Sequence, residues 1–569
     1  MKKVPLTNIW LINISMLIFT FILVGKLGYL QIVKGAEYRE KVENQYSISS
    51  GVTLERGTIF FTEKSGRKIS AATMTTDYTL ALDPSQIGDP VKLADKIVPR
   101  GGFDRGDFIA KASLKNSRYT EIAKHVPEDV VMGIQALREK GVIIKKDKKR
   151  LYPGGRTAAQ VLGFVGFQGD ELRGQYGLER YYNDLLVRTG SDSSSSFFAD
   201  LFLKAGQAIV LNRTREGDLV TSIEPSVEEF LERTLTDDVL KKYNAAGAMG
   251  IIMNPKNGEI YAMTGVPSFD PNNFSKEKNP ATFSNPLVEG TYEMGSIIKT
   301  LTLSAGIDAG VITAKTTYDD TGSIILNTKR ISNFDGKARG VVSMQEVLNQ
   351  SLNMGSTFVA GRLGHDRFRA YFNAFGLSEE TGIDLPNEAV GKTGNLSSPR
   401  DLDYATASFG QGIALTPIAT IRAIAAVANG GVLVMPHVVK QTEYGFGVTT
   451  DFVPGSERRV IKKETSAEVS RMLTVAMDTA LLEGTLKMEH YNIAIKTGTA
   501  QQVGKDGKYS TDDYLHTFVG YFPSYDPKFI VLLMVKNPRS ERYASHTLSG
   551  PFMQIVKFLI NYYEIPPDR

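Results

Sequence analysis

The sequence predicts an α/β (α+β) protein. It comprises a central antiparallel sheet flanked by helices, an elongated mixed domain before it, and one transmembrane helix at the N-terminus. Three observations carry this reading. Strand-like runs open and close residues 226–569 with helical runs between them, residues 34–225 are mixed and irregular, and residues 9–33 form a long apolar stretch. Strands at both ends of a segment with helices between imply one sheet assembled from the two ends, with helices packed on it.

The apolar stretch comes first in the chain. Ile9 to Val24 carries no charge, and the apolar character continues past Lys26 to Val33. A spanning helix needs about 20 largely apolar residues, and Lys26 is near enough to the far end to snorkel to the interface. Lys2 and Lys3 lie in the tail 1–8, which the positive-inside rule keeps cytoplasmic, and Trp10 stands at the entry. No small-x-small cleavage pattern follows. The expectation is an uncleaved, single-pass anchor in the cytoplasmic membrane with everything after it outside the cytoplasm.

Residues 34–225 come next. "VTLERGTIFFTEKSGRKISA" predicts two short strands around a turn at Lys64, Ser65 and Gly66, and "RTAAQVLGFVG" and "YGLERYYNDLLV" predict short amphipathic pieces. The serine-rich run Gly190–Asp200 predicts a solvated loop without chemistry. From Ser226 the texture changes. "SVEEFLERTLTDDVLKKY" has apolar residues at helical spacing, and "AGAMGIIMNPKNGEIYAMTG" is two strand-type runs around a turn from Asn254 to Gly258. "NIAIKTGTA", "LHTFVGYF" and "FIVLLMVKN" predict three more strands, closed by the amphipathic helix "FMQIVKFLINYYEI".

Composition narrows the chemistry. A chain of 569 residues is too long for one compact domain, and 42% hydrophobic with 22% charged residues describes a globular protein. A net charge of +4 with no basic, aromatic-interleaved stripe gives no reason to propose nucleic acid. Without cysteine there is no thiol nucleophile, disulfide or zinc ribbon, and the six histidines are dispersed without a ligand pairing. No phosphate-cradling glycine loop is present. The sequence implies no metal and no organic cofactor.

What remains is "TYEMGSIIKT", which places Ser296 and Lys299 three positions apart. On their own they read equally as a helix cap and a solvated lysine. On a helix, however, they share a face within hydrogen-bond reach, and the apolar run after them makes that helix central. A desolvated lysine favours its neutral form and suits a base, and a serine hydroxyl needs one to become a nucleophile. "NQSLNMGS" adds Ser351 and Asn353, a hydroxyl able to relay a proton and an amide able to bind a peptide carbonyl. "AIKTGTA" adds Lys496, Thr497, Gly498 and Thr499 on a strand, where a cation and hydroxyls can hold a carboxylate and the glycine lets substrate lie against the strand. Each motif alone is weak. The order S-x-x-K, S-x-N, K-T-G on helix, loop and strand is specific.

With these residues the chain resembles the class B penicillin-binding proteins, membrane-anchored D,D-transpeptidases of bacterial peptidoglycan synthesis. The resemblance covers nearly the whole chain: "RGTIFFTEKSGRKISA", "LYPGGRTAAQVLGFVG" and "GQYGLERYYNDLL" resemble the family's pedestal motifs, and "TASFGQGIALTPIATIRAIAAVANGGVLVMP" resembles a run of its catalytic domain. Two positions depart from the pattern, Phe61 where an acidic residue is usual and Met294 where proline is usual. Asn353 closing the second motif, with "SFGQG" before "TP", resembles division and sporulation members more than elongation members.

The resemblance implies a dimerisation-like pedestal over 34–225 and a penicillin-binding/serine β-lactamase-like transpeptidase domain over 226–569. It implies catalytic roles for Ser296, Lys299, Ser351, Asn353 and Lys496, and substrate binding by Thr497, Gly498 and Thr499. Expected partners are peptidoglycan stem peptides, a SEDS-type glycosyltransferase and other division proteins, and β-lactam antibiotics as acylating agents. Alternatives are a D,D-carboxypeptidase or β-lactamase-type hydrolase with the same motifs, and a non-catalytic β-lactam sensor or divisome scaffold.

Overall fold

The computed structural model describes residues 55–569 except 170, 189–215, 445–446, 454, 456 and 505–506, together with 16, 19, 20 and 26. The expected tail 1–8, most of the expected span 9–33 and the serine-rich loop lie outside the described residues. Among the described residues no helix is long and apolar enough to cross a membrane.

The chain divides into two compact units, and Thr76–Lys148 forms one of them. Its core gathers Leu80 and Leu82 with Leu93, Ile97, Phe108 and Ile134, all at most 5% exposed. Strand residues Leu80–Leu82 pair antiparallel with Thr120–Ala123, and helix Pro90–Gly101 begins where the Asp89 carboxylate accepts from the amides of Val91 and Lys92. That cap satisfies two of the four orphan donors of a helix start.

The other unit joins Glu55–Thr75 to Lys149–Arg569. Ile59–Thr62 pairs antiparallel with the start of Lys68–Leu82 around the expected turn, and in parallel with Gly217–Thr221. The short helices Ala159–Leu162, Gly177–Tyr181 and Asn183–Leu186 stand where the amphipathic pieces are predicted. Glu179 of the second helix is the centre of a buried ionic cluster. Arg56 Nε and Arg150 Nε donate to the two carboxylate oxygens of Glu179 at 2.5 and 2.7 Å, and Tyr152 adds a hydrogen bond at 3.3 Å. Glu179 is fully buried.

The C-terminal part of this unit is built on five antiparallel strands: β1 (Gly247–Met253), β2 (Ile260–Val266), β3 (Ala494–Val503), β4 (Tyr509–Phe522) and β5 (Phe529–Lys536), in the spatial order β3-β4-β5-β1-β2. This is the sheet closed from both ends of the segment that the sequence predicts. In β5, Phe529, Val531, Leu533 and Val535 face one core while Ile530, Leu532 and Met534 face the other. A strand buried on both faces has to read as a continuous apolar run, and "FIVLLMV" does. Against one face lies the closing helix α3 (Ala544–Tyr563), and the other core takes up α1 (Lys299–Asp308) and α2 (Asn353–Leu363). The first eight residues of α1 are all buried, as befits a central helix.

Candidate active site

Ser296 does not sit on the α-helix itself. Gly295–Ile298 is a 3₁₀ turn that runs directly into α1 at Lys299. Residues i and i+3 eclipse in a 3₁₀ turn, so the spacing that predicts a shared helix face stacks the two side chains here. Gly295 enters this turn with φ +61°, a conformation open to glycine, and its amide donates to the Gly410 carbonyl at 3.1 Å.

Lys299 is the hub. It is fully buried, with Nζ 2.9 Å from Ser296 Oγ, 2.6 Å from the Ser351 carbonyl, 2.7 Å from Asn353 Oδ1 and 3.3 Å from Ser351 Oγ. No carboxylate stands among these partners. Burial, and after it the charge of Lys496, holds the Lys299 amine well below the ordinary lysine range. A neutral amine has two N–H groups and one lone pair. The Ser351 carbonyl and Asn353 Oδ1 can only accept, so they use the two hydrogens and leave the lone pair for the Ser296 proton.

Ser351 itself has φ +54°, uncommon for a residue with a side chain, in the turn just before α2. This bend presents both its carbonyl and its hydroxyl to Lys299. Asn353 is tied down by donating to the Ser332 carbonyl at 2.9 Å. Lys496 reaches in from β3, donating to Ser351 Oγ at 2.9 Å and to the Thr497 carbonyl at 3.0 Å. Burial lowers its amine to about 7. Ser351 Oγ therefore bridges the two lysines.

β3 runs beside Ser296. A Cβ at Gly498 would stand 3.1 Å from the Ser296 amide and 2.8 Å from the Met294 carbonyl, so only glycine lets the strand pass so close. Thr499 Oγ1 accepts from the Ala544 amide at 3.1 Å, at the start of α3. All eight predicted residues are thus in one place: five are joined by hydrogen bonds and three lie on the adjoining strand.

Sequence reasoning misses several supports. Buried Thr517 donates to the Met294 carbonyl at 2.9 Å and fixes the residues before Ser296. Glu293 accepts from the Gly412 amide at 2.8 Å and from the Tyr509 hydroxyl at 3.0 Å. Asn333 Oδ1 accepts from the amide of Met354 at 3.1 Å. Of these only Glu293, the one carboxylate in "TYEMGS", carries any signal in the sequence.

A serine hydroxyl beside a buried lysine whose amine is held below its ordinary range, with a second serine in contact with both lysines, is an arrangement suited to acyl transfer. Comparison with known proteins makes this more particular. Residues 248–557 match the model of the penicillin-binding protein transpeptidase domain, and residues 55–197 match that of the penicillin-binding protein dimerisation domain. The chain is 31% identical over 538 residues to stage V sporulation protein D of Bacillus subtilis, covering 93% of this chain and 81% of that protein. It is 24% identical over 585 residues to the peptidoglycan D,D-transpeptidase FtsI of Buchnera aphidicola subsp. Schizaphis graminum, covering 100% of this chain and 97% of that protein. In fold it is similar to penicillin-binding protein 3 of Mycobacterium tuberculosis solved with aztreonam, with a TM-score of 0.69 at 22% identity over 91% of this chain and 98% of that one. The chain belongs to the class B penicillin-binding proteins, the peptidoglycan D,D-transpeptidases.

Proposed function

We propose that this chain crosslinks peptidoglycan stem peptides in septal wall synthesis through an acyl-enzyme on Ser296. Ser296 Oγ attacks the carbonyl between the two terminal D-alanines, and Lys299 takes its proton. The oxyanion rests on the amides of Ser296 and Thr499, a kind of support whose loss costs about 10²–10³ in rate per donor. Ser351, between the two lysines, passes a proton to the leaving D-alanine as the C–N bond breaks. Asn353 orients the stem peptide, and Thr497 and Thr499, with the positive field of Lys496 behind them, hold the terminal carboxylate. The amine of a second stem peptide then displaces Ser296. β-Lactams acylate the same serine.

The observation that carries this reading is the partner set of Lys299: the Ser351 carbonyl and Asn353 Oδ1, its two nearest acceptors, take the hydrogens of a neutral amine and leave its lone pair for Ser296. The pedestal over 34–225, the anchor over 9–33 that holds residues 226–569 outside the cytoplasm, and association with a SEDS-type glycosyltransferase and division proteins belong to the same proposal. The likeness to stage V sporulation protein D favours a second reading, in which the same chemistry serves a sporulation stage.

The test uses the purified full chain, wild type beside Ser296→Ala, with fluorescent penicillin followed by mass spectrometry and then a crosslinking assay on lipid-linked glycan. We expect a long-lived adduct on the wild type alone, and crosslinks that depend on Ser296. An adduct persisting in Ser296→Ala contradicts the nucleophile. Release of free D-alanine without crosslinks points to the hydrolase.

A further inference from the structure

One buried histidine lies on the strand next to the one that carries Thr499. His516 on β4 pairs with Thr499 on β3 and is fully buried. Its Nε2 is 3.0 Å from the Arg542 carbonyl and its Nδ1 is 2.9 Å from the Thr547 hydroxyl. A carbonyl only accepts, so Nε2 carries the hydrogen and Nδ1 accepts from Thr547. Burial lowers this ring to about 4, which keeps it neutral in that tautomer. The imidazole thereby pins the entry to α3 at two points, one before its first residue and one in its first turn.

What lies between the two pins matters. The Ala544 amide donates to Thr499 Oγ1 at 3.1 Å. That bond occupies a lone pair of the hydroxyl and leaves its hydrogen free to be donated, which is what a carboxylate needs. Tyr543 sits between Arg542 and Ala544, with its ring 6.0 Å edge-on from Phe334, which follows the Asn333 that accepts from α2.

We propose that His516 is a positioning residue for the transpeptidase: through Arg542 and the Ala544 amide it sets the Thr499 hydroxyl to receive the terminal carboxylate of the substrate. The inference rests on the reading of Thr499 as a carboxylate donor. His516 touches neither substrate nor nucleophile. Its effect is confined to ligands that carry the carboxylate.

A penicillin and its methyl ester, which lacks that carboxylate, separate the two claims. Second-order acylation rates are measured on the full chain for wild type, Thr499→Val, His516→Leu and His516→Gln. The wild type acylates faster with the acid. Thr499→Val and His516→Leu each reduce the acid-to-ester ratio about tenfold, the size of one lost hydrogen bond to a charged group, with the change in the concentration dependence and not in the limiting rate. Combining the two substitutions costs no more than either alone, since they act on one interaction. His516→Gln, which keeps an amide donor for the Arg542 carbonyl, stays within about threefold of wild type. A wild type indifferent to the ester overturns the carboxylate reading and this inference with it. A high wild-type ratio that survives His516→Leu overturns the histidine's role alone. Loss of ester acylation in both His516 variants makes the residue a requirement of the fold and equally overturns positioning.

Discussion

Two clusters in this molecule bury basic side chains, and they do so in opposite ways. Arg56 and Arg150 enclose Glu179, and the two guanidiniums outweigh the upward pull of burial to hold that carboxyl below its ordinary range. Lys299 and Lys496 are buried as deeply, yet their polar partners are only hydroxyl, carbonyl and amide oxygens, with no carboxylate. Burial without a counter-charge pushes an amine toward its neutral form. The first cluster is an ion triad that fastens elements distant in sequence. The second favours the uncharged form of the Lys299 amine, the form that suits a base. Pairing separates the structural site from the reactive one.

Substitutions can break or sharpen this contrast, and the largest effect is at the nucleophile. Ser296→Ala abolishes covalent labelling by penicillin while leaving the thermal midpoint near that of the wild type, read by mass spectrometry and calorimetry. Lys299→Met lowers the acylation rate about 10²–10⁴-fold, as loss of a general base does. Because it also replaces a buried amine that has no counter-charge by an apolar chain, its melting temperature equals or exceeds that of the wild type. Glu179→Ala does the reverse. It leaves two buried guanidiniums unmatched and costs about 3–5 kcal/mol of stability in denaturant unfolding, while the folded fraction is acylated at the normal rate.

The smallest effect is a pH slope. The amine of Lys496 falls from an ordinary value of 10.5 to about 7 in the fold. Between these limits the unfolded chain binds the extra proton, so this residue makes stability rise with pH from about 7 to about 10.5. Lys496→Met therefore shows a shallower rise of melting temperature between about pH 7 and pH 9 than the wild type.

Much of the site was legible because its residues are neighbours in sequence. The three-residue step from Ser296 to Lys299 survives as a stacked pair although the local helix is 3₁₀. The unbroken apolar run of β5 and the turn from Asn254 to Gly258 are equally local. What escaped depends on long-range placement. The left-handed bend of Ser351 and the aim of Lys496 at its hydroxyl join residues 145 positions apart. His516 read as one dispersed histidine because its partners, Arg542 and Thr547, lie 26 and 31 positions away. The separate core of Thr76–Lys148, within the stretch read as one pedestal, likewise has no local signature.

The central claim is that Lys299 stands neutral beside Ser296. Its most direct test is the acylation rate of the full chain by a penicillin across pH 6 to 9.5. A depressed amine predicts a rate that has already levelled off by the alkaline end of this range. A rate still climbing about tenfold per unit at pH 9, as an ordinary lysine titrating near 10.4 would give, contradicts it.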